Sequence, residues 1–107
     1  MNLSNNLITE IPKDISLLKG LITLNISYNQ ISDLGPLSAL ESLKSLIATG
    51  NQIKTTKPLR KLTLLNTLIL SKNEINDVSG LEKLTLLNKL SLSHNKLTEF
   101  TPHHGMS

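Results

Sequence analysis

The sequence predicts an α/β solenoid: a curved right-handed superhelix with a concave parallel β-sheet and a convex side of 3₁₀ or irregular turns, in about five repeats. Three observations predict it. An apolar string recurs every 22 residues, its spacing changes from two to three inside each unit, and the apolar residues are overwhelmingly aliphatic. Trp and Cys are absent, and Tyr28 and Phe100 are the only aromatics, so the interior has to be built from Leu, Ile and Val.

The first unit is marked by Leu3, Asn6, Ile8 and Ile11-Pro12. The second follows 23 residues later with Leu21, Leu24, Ile26, Asn29 and Ile31, one residue having been inserted near Asp14 and Ile15. A shift of 22 then gives Leu43, Leu46, Ala48, Asn51 and Ile53. The same shift gives Leu65, Leu68, Leu70, Asn73 and Ile75, and finally Leu87, Leu90, Leu92, Asn95 and Leu97.

Within each unit the alternation of Leu24 and Ile26 with Thr23, Asn25 and Ser27 predicts a short strand, one side core and the other surface. Beyond the strand the spacing becomes three, as in Leu34, Leu37 and Leu40, which suits 3₁₀ turns on the return path. Stacked coils then form a parallel sheet, and the bulkier return path puts that sheet on the inside of the curve. Asn6, Asn29, Asn51, Asn73 and Asn95 fall where the chain leaves the strand, and their amides are expected to satisfy backbone groups of their own and neighbouring coils.

These residues form the leucine-rich-repeat signature. The chain resembles the 22-residue class typified by a regulatory subunit of protein phosphatase 1 and by bacterial internalins. The resemblance spans a leucine-rich-repeat domain over residues 1–100, in units of roughly 1–20, 21–42, 43–64, 65–86 and 87–100, followed by a tail at 101–107. It implies a non-enzymatic protein-protein interaction module or scaffold, with roles such as phosphatase regulation or assembly of a larger complex. The other reading is a structural subunit or fragment of a larger assembly, held through uncapped solenoid edges, since neither end carries a recognisable cap.

The strand positions facing outward are expected to be Thr23, Asn25 and Ser27; Ser45, Ile47 and Thr49; Thr67, Ile69 and Ser71; and Lys89, Ser91 and Ser93. Tyr28, Gly50, Lys72 and His94 border them. The candidate partner-binding surface is therefore Asn25, Tyr28, Ile47, Thr49, Ile69, Ser71, Lys72, Lys89, Ser91 and His94, with the isoleucine pair at its centre. Two exposed isoleucines among hydroxyls read either as an interface anchor or as residues chosen for strand propensity.

Lys54, Lys57, Arg60 and Lys61 cluster on the return path of the third unit, where a solvated convex face is favoured over a phosphate or acidic-partner site. Ala48 and Thr56 stand where other units carry larger aliphatics, which predicts a thinner core and lower stability there. Leu64 and Leu86, where Gly20 and Ser42 stand earlier, are read as supplements to the local core in preference to a lateral contact.

The remaining features narrow the function classes. A formal charge of +3 with no run of like charges gives no nucleic-acid arm. There is no apolar stretch long enough for a membrane span and no signal-peptide pattern at the start, and together with the absence of cysteine this leads to the expectation of a cytoplasmic, intracellular protein. The triplets Asn2-Leu3-Ser4 and Asn25-Ile26-Ser27 fit the glycosylation pattern, which matters only in a secretory compartment. No catalytic, cofactor-binding or metal-binding residues are assigned. His94, His103 and His104 form no metal-ligand motif, and Gly50 and Gly80 read as turn glycines rather than a phosphate cradle.

Overall fold

The computed structural model describes residues 1–97. Its elements alternate in the order the repeat requires. The 3₁₀ helices are η1 (Lys13–Leu17), η2 (Gly35–Ala39), η3 (Lys57–Leu59) and η4 (Leu81–Lys83). The strands are β1 (Thr23–Asn25), β2 (Ser45–Ile47), β3 (Thr67–Ile69) and β4 (Lys89–Ser91). They form one parallel sheet in sequence order, with Leu24, Leu46, Leu68 and Leu90 directly in register. Asn2 adds a single parallel bridge to Asn25, so the first unit contributes a fifth, abbreviated rung.

The inward side of every strand is core. Leu24, Leu46 and Leu68 are buried, as are Ile26, Ala48 and Leu70, while Leu90 and Leu92 in the last coil are half-buried. The column formed by Leu37, Leu59 and Leu81 lies inside the 3₁₀ turns and is buried too. Proline at the second position of η2 and η3 presets φ for the tight turn and lacks only an N–H that the turn does not need.

Backbone ladders tie the coils together well beyond the three-residue strands. Ile26, Ala48 and Leu70 donate their N–H groups to Ile47, Ile69 and Ser91 of the following coil at 2.8–2.9 Å. Past the bend the direction reverses: Gln52, Glu74 and Lys96 donate to Ile31, Ile53 and Ile75 of the preceding coil. Between these ladders runs the asparagine column. Asn73 Oδ1 accepts the Ile53 N–H at 3.1 Å, and its Nδ2 donates to Ala48, Leu70 and Ser71 carbonyls at 2.9–3.1 Å. Asn29, Asn51 and Asn95 repeat the pattern.

The strand-exit carbonyls of Ile26, Ala48 and Leu70 thus each take one amide from their own coil and one from the next. Ala48, for example, accepts from both Asn51 and Asn73. Asn6 departs from the expectation. It is exposed, and among the described residues its side-chain amide donates only to Leu3 and Ser4 of its own coil.

In the third unit the small residues do lie in the core, as the sequence reading has it. Ala48 and Thr56 are completely buried, but the Thr56 hydroxyl donates to the Ser79 carbonyl at 2.9 Å and its N–H to Asp77 at 3.1 Å. The smaller, polar residue is therefore compensated by bonds to the fourth coil, which the bridge between Thr55 and Asp77 reinforces. Leu64 and Leu86 are not core. They are 41% and 54% exposed, because each sits in the turn before the strand and the residue after it, Leu65 or Leu87, takes the inward direction.

Candidate functional site

Three residues of extended backbone per coil, stacked in register, build the outward face of the sheet. Alternation turns every second side chain outward, and the parallel register places each beside its own repeat in the next coil. The result is three rows. The first, Thr23, Ser45, Thr67 and Lys89, is a line of hydroxyls ending in a cation. The central row is Asn25, Ile47, Ile69 and Ser91, in which Ile47 lies directly opposite Ile69. The third, Ser27, Thr49, Ser71 and Ser93, is all hydroxyl.

Of the predicted surface residues, Tyr28, Lys72, Lys89 and His94 are exposed, and Asn25, Ile47, Thr49, Ile69, Ser71 and Ser91 are half-buried. The structure brings all of them to one face. Ser27, expected at the surface, is buried instead. Its coil is flanked on both sides, with Asn5 donating to the Ser27 carbonyl and Tyr28 donating to Thr49, and a small side chain between two coils is covered by its neighbours.

The polar rows are internally bonded. Ser71, Ser91 and Ser93 close a triangle of hydroxyl contacts at 2.7, 3.3 and 3.2 Å. Asn25 Oδ1 accepts the Ser27 N–H at 3.0 Å, which fixes its amide on the face. A shallow hollow of about 390 Å³ opens at the β1 end between Met1, Asn25, Ser45 and Ile47. The outward rows contain no acidic residue, and their cations, Lys72 and Lys89, lie toward β4.

The fourth border row was not legible in its backbone. Tyr28, Lys72 and His94 all adopt left-handed conformations, with φ of 56°, 58° and 58°, as do Asn5 at 59° and Gly50 at 73°. Every coil therefore makes the same left-handed bend just before its ladder asparagine. For residues other than glycine such a bend costs roughly 1–2 kcal/mol. Asx-type residues and glycine are the usual signal for it, and Tyr, Lys and His conceal it.

Gly50 has a second role. A Cβ there would fall 2.6 Å from Tyr28 Cδ1, so the ring of Tyr28 occupies the space above the following coil. Gly50→Ala is expected to displace that ring and to lower stability by about 1–2 kcal/mol. Because Tyr28 is the only tyrosine and Trp is absent, its emission and acrylamide quenching report on it alone. Unchanged quenching in the variant would show that the ring does not rest there.

Among the described residues there is no group of three or more His, Cys, Asp or Glu side chains placed to hold a metal ion, and no helix is long and apolar enough to cross a membrane. His103 and His104 lie outside the described residues, as does Phe100.

A short-stranded solenoid with an outward-facing parallel sheet defines a repeat protein. Family models described as leucine-rich repeats match in two places: one of two repeat copies over residues 19–61, and a single repeat over residues 86–105. The chain belongs to the leucine-rich-repeat superfamily, with internalin-like repeats.

Among solved structures it is similar to an internalin (inlF) from Listeria monocytogenes, with 36% identity and a TM-score of 0.81 over 88% of this chain and 27% of that one. It is also similar to internalin C2 from the same organism, with 31% identity and a TM-score of 0.90 over 99% of this chain and 46% of that one. The chain thus spans less than half the length of either relative. No protein with a curated description matches it.

Proposed function

We propose that the chain is a non-enzymatic protein-binding module that captures a partner protein on its concave sheet, centred on Ile47 and Ile69. The leucine-rich-repeat fold generally mediates protein-protein interaction, which supports the class of activity. The observation that carries the choice of face is the in-register isoleucine pair, half-exposed at the centre and bordered on both sides by hydroxyl rows. An apolar centre inside a polar rim excludes water around the contacts that matter most. The coil-to-coil ladders hold this face before the partner arrives, so little conformational entropy is lost on binding. Lys72 and Lys89 at the β4 side favour a partner that is acidic where it meets that edge.

Photo-crosslinking tests the face directly. A crosslinking residue at position 69 is expected to trap a discrete protein from cells of the source organism, and one at position 44, outside the outward rows, is not. Equal yields from both positions would contradict the proposed face.

A second reading is favoured by the first coil, where Leu7 and Leu17 are 83% and 73% exposed and Met1 and Leu18 lie beside the same edge. Another polypeptide packed on that edge would cover an apolar surface that water now meets. The two surfaces are distinct, so one chain can use both.

A further inference from the structure

We propose that a trough on the convex side, between the second and third coils, docks a carboxylate-rich segment of a partner protein. The trough holds about 320 Å³ and is lined by Gly35 and Ser38 from one coil and by Thr55, Lys57, Arg60 and Lys61 from the next. Its size lies at the small end of ligand pockets, which suits the side chains of an extended peptide.

Charge is what singles the trough out. The chain's formal charge is +3, with eleven Lys and Arg against eight Asp and Glu. Lys57, Arg60 and Lys61 supply three cations to the lining, and the eight basic residues left elsewhere balance the eight acids. The repeat columns show how this arises. Lys57 aligns with Gly35 and Ser79, Arg60 with Ser38 and Glu82, and Lys61 with Ala39 and Lys83. No other coil places three cations on its return path.

The neighbouring acids are held in hydrogen bonds to residues at the trough and beside it. Asp33 Oδ1 accepts the Gly35 N–H at 2.8 Å, and Glu82 Oε1 accepts the Gly80 N–H at 3.0 Å. Asp77 accepts from the Ser79 N–H and hydroxyl and from the Thr55 hydroxyl, and these bonds hold its carboxyl below the ordinary carboxylate range. Asp77 also faces Lys57 electrostatically, so Arg60 and Lys61 remain the less compensated pair. In the third coil the turn that Asp33 and Asp77 close elsewhere is closed by a neutral hydroxyl, Thr55 Oγ1, accepting the Lys57 N–H at 3.1 Å. The column is acidic at Asp33 and Asp77 and neutral at Thr55.

The chemistry also selects among anions. The Leu59 and Arg60 N–H groups donate to Thr56 and Lys57 carbonyls, so no nest of free backbone amides is left to clasp a single phosphate. Recognition falls to side chains, and one guanidinium nitrogen of Arg60 is anchored on the Lys57 carbonyl at 3.3 Å. Tyr28 is on the concave side, so among the described residues the trough has no ring on which a base could stack. Pro58 and the aliphatic stems of the three cations give an apolar floor under a charged rim, which fits acidic residues interspersed with apolar ones.

The test uses the full chain and a short fluorescein-labelled peptide of alternating Glu and Leu, read by anisotropy. Replacing Lys57, Arg60 and Lys61 together by Gln is expected to weaken binding at least about tenfold at low salt. Removing the same charge elsewhere, at Lys13, Lys19 and Lys44, is expected to change it less than about twofold. An Ile47→Thr, Ile69→Thr variant should bind the peptide normally, which separates this site from the concave face. Equal losses in the two charge-removal variants would overturn the proposal, as would equal binding of a Gln-for-Glu peptide. Stronger binding of inorganic phosphate or a single-stranded oligonucleotide than of the acidic peptide would overturn the assigned occupant.

Discussion

Asn73→Leu is expected to lower the free energy of unfolding by about 3 kcal/mol, a large share of what a domain of this size possesses. The side chains are close in shape, so the loss comes from hydrogen bonds and not from volume. Leucine removes the acceptor of the buried Ile53 N–H. It also takes one of two amide donors from Ala48 and one of two from Leu70. A buried N–H with no partner costs roughly 1–3 kcal/mol, and the two weakened carbonyls add to it.

In a thermal melt the midpoint should fall by roughly 10–20 °C. Asn6→Leu is the internal control. Its amide is exposed and reaches only Leu3 and Ser4, so its effect should stay below about 1 kcal/mol. Similar losses at the two positions would mean that the ladder is not what the buried asparagines contribute.

Replacing Ile47 and Ile69 together by Asp is expected to abolish partner capture on the concave face. Two carboxylates placed directly opposite each other repel, and both desolvate poorly in an apolar contact. The same repulsion weakens the sheet, so a second variant carries the quantitative argument. Ile47→Thr with Ile69→Thr keeps the branched carbon that suits a strand and continues the hydroxyl rows, removing only the apolar centre. Each isoleucine is already half-buried, so the further area it could bury on binding represents about 1 kcal/mol. Loss of both should weaken binding about 30-fold. Affinity unchanged in the threonine pair, with circular dichroism showing the fold intact, would place the partner on another surface.

The repeat made much of this legible in advance. Leu24, Leu46 and Leu68 point inward, Ile47 and Ile69 meet on the sheet, and the 3₁₀ columns follow the three-residue spacing. Leu64 and Leu86 were misread because the turn before the strand directs the next residue, Leu65 or Leu87, inward. Ser27 and Asn6 were misread for another reason. Each was assigned from its place in the unit, but its exposure depends on what the adjacent coils supply. The basic residues of the third coil were visible in sequence as a solvated group. That Gly35 and Ser38 lie beside Lys57, Arg60 and Lys61 and make a trough follows only from stacking coils 22 residues apart.

The sequence by itself determined the number of coils, the direction of each aliphatic side chain and the identity of the column an asparagine occupies. A strict repeat places every residue beside its own copy, so the periodicity carries the contact map within it. Tertiary structure decided how those copies fit: the ring of Tyr28 over Gly50, the hydroxyl of Thr56 on Ser79, and the neutral turn at Thr55 between two acidic ones. These depend on the size and charge of unlike residues brought together across coils, and side-chain packing is settled by shape at contact distance, which a pattern of apolar and polar letters does not encode.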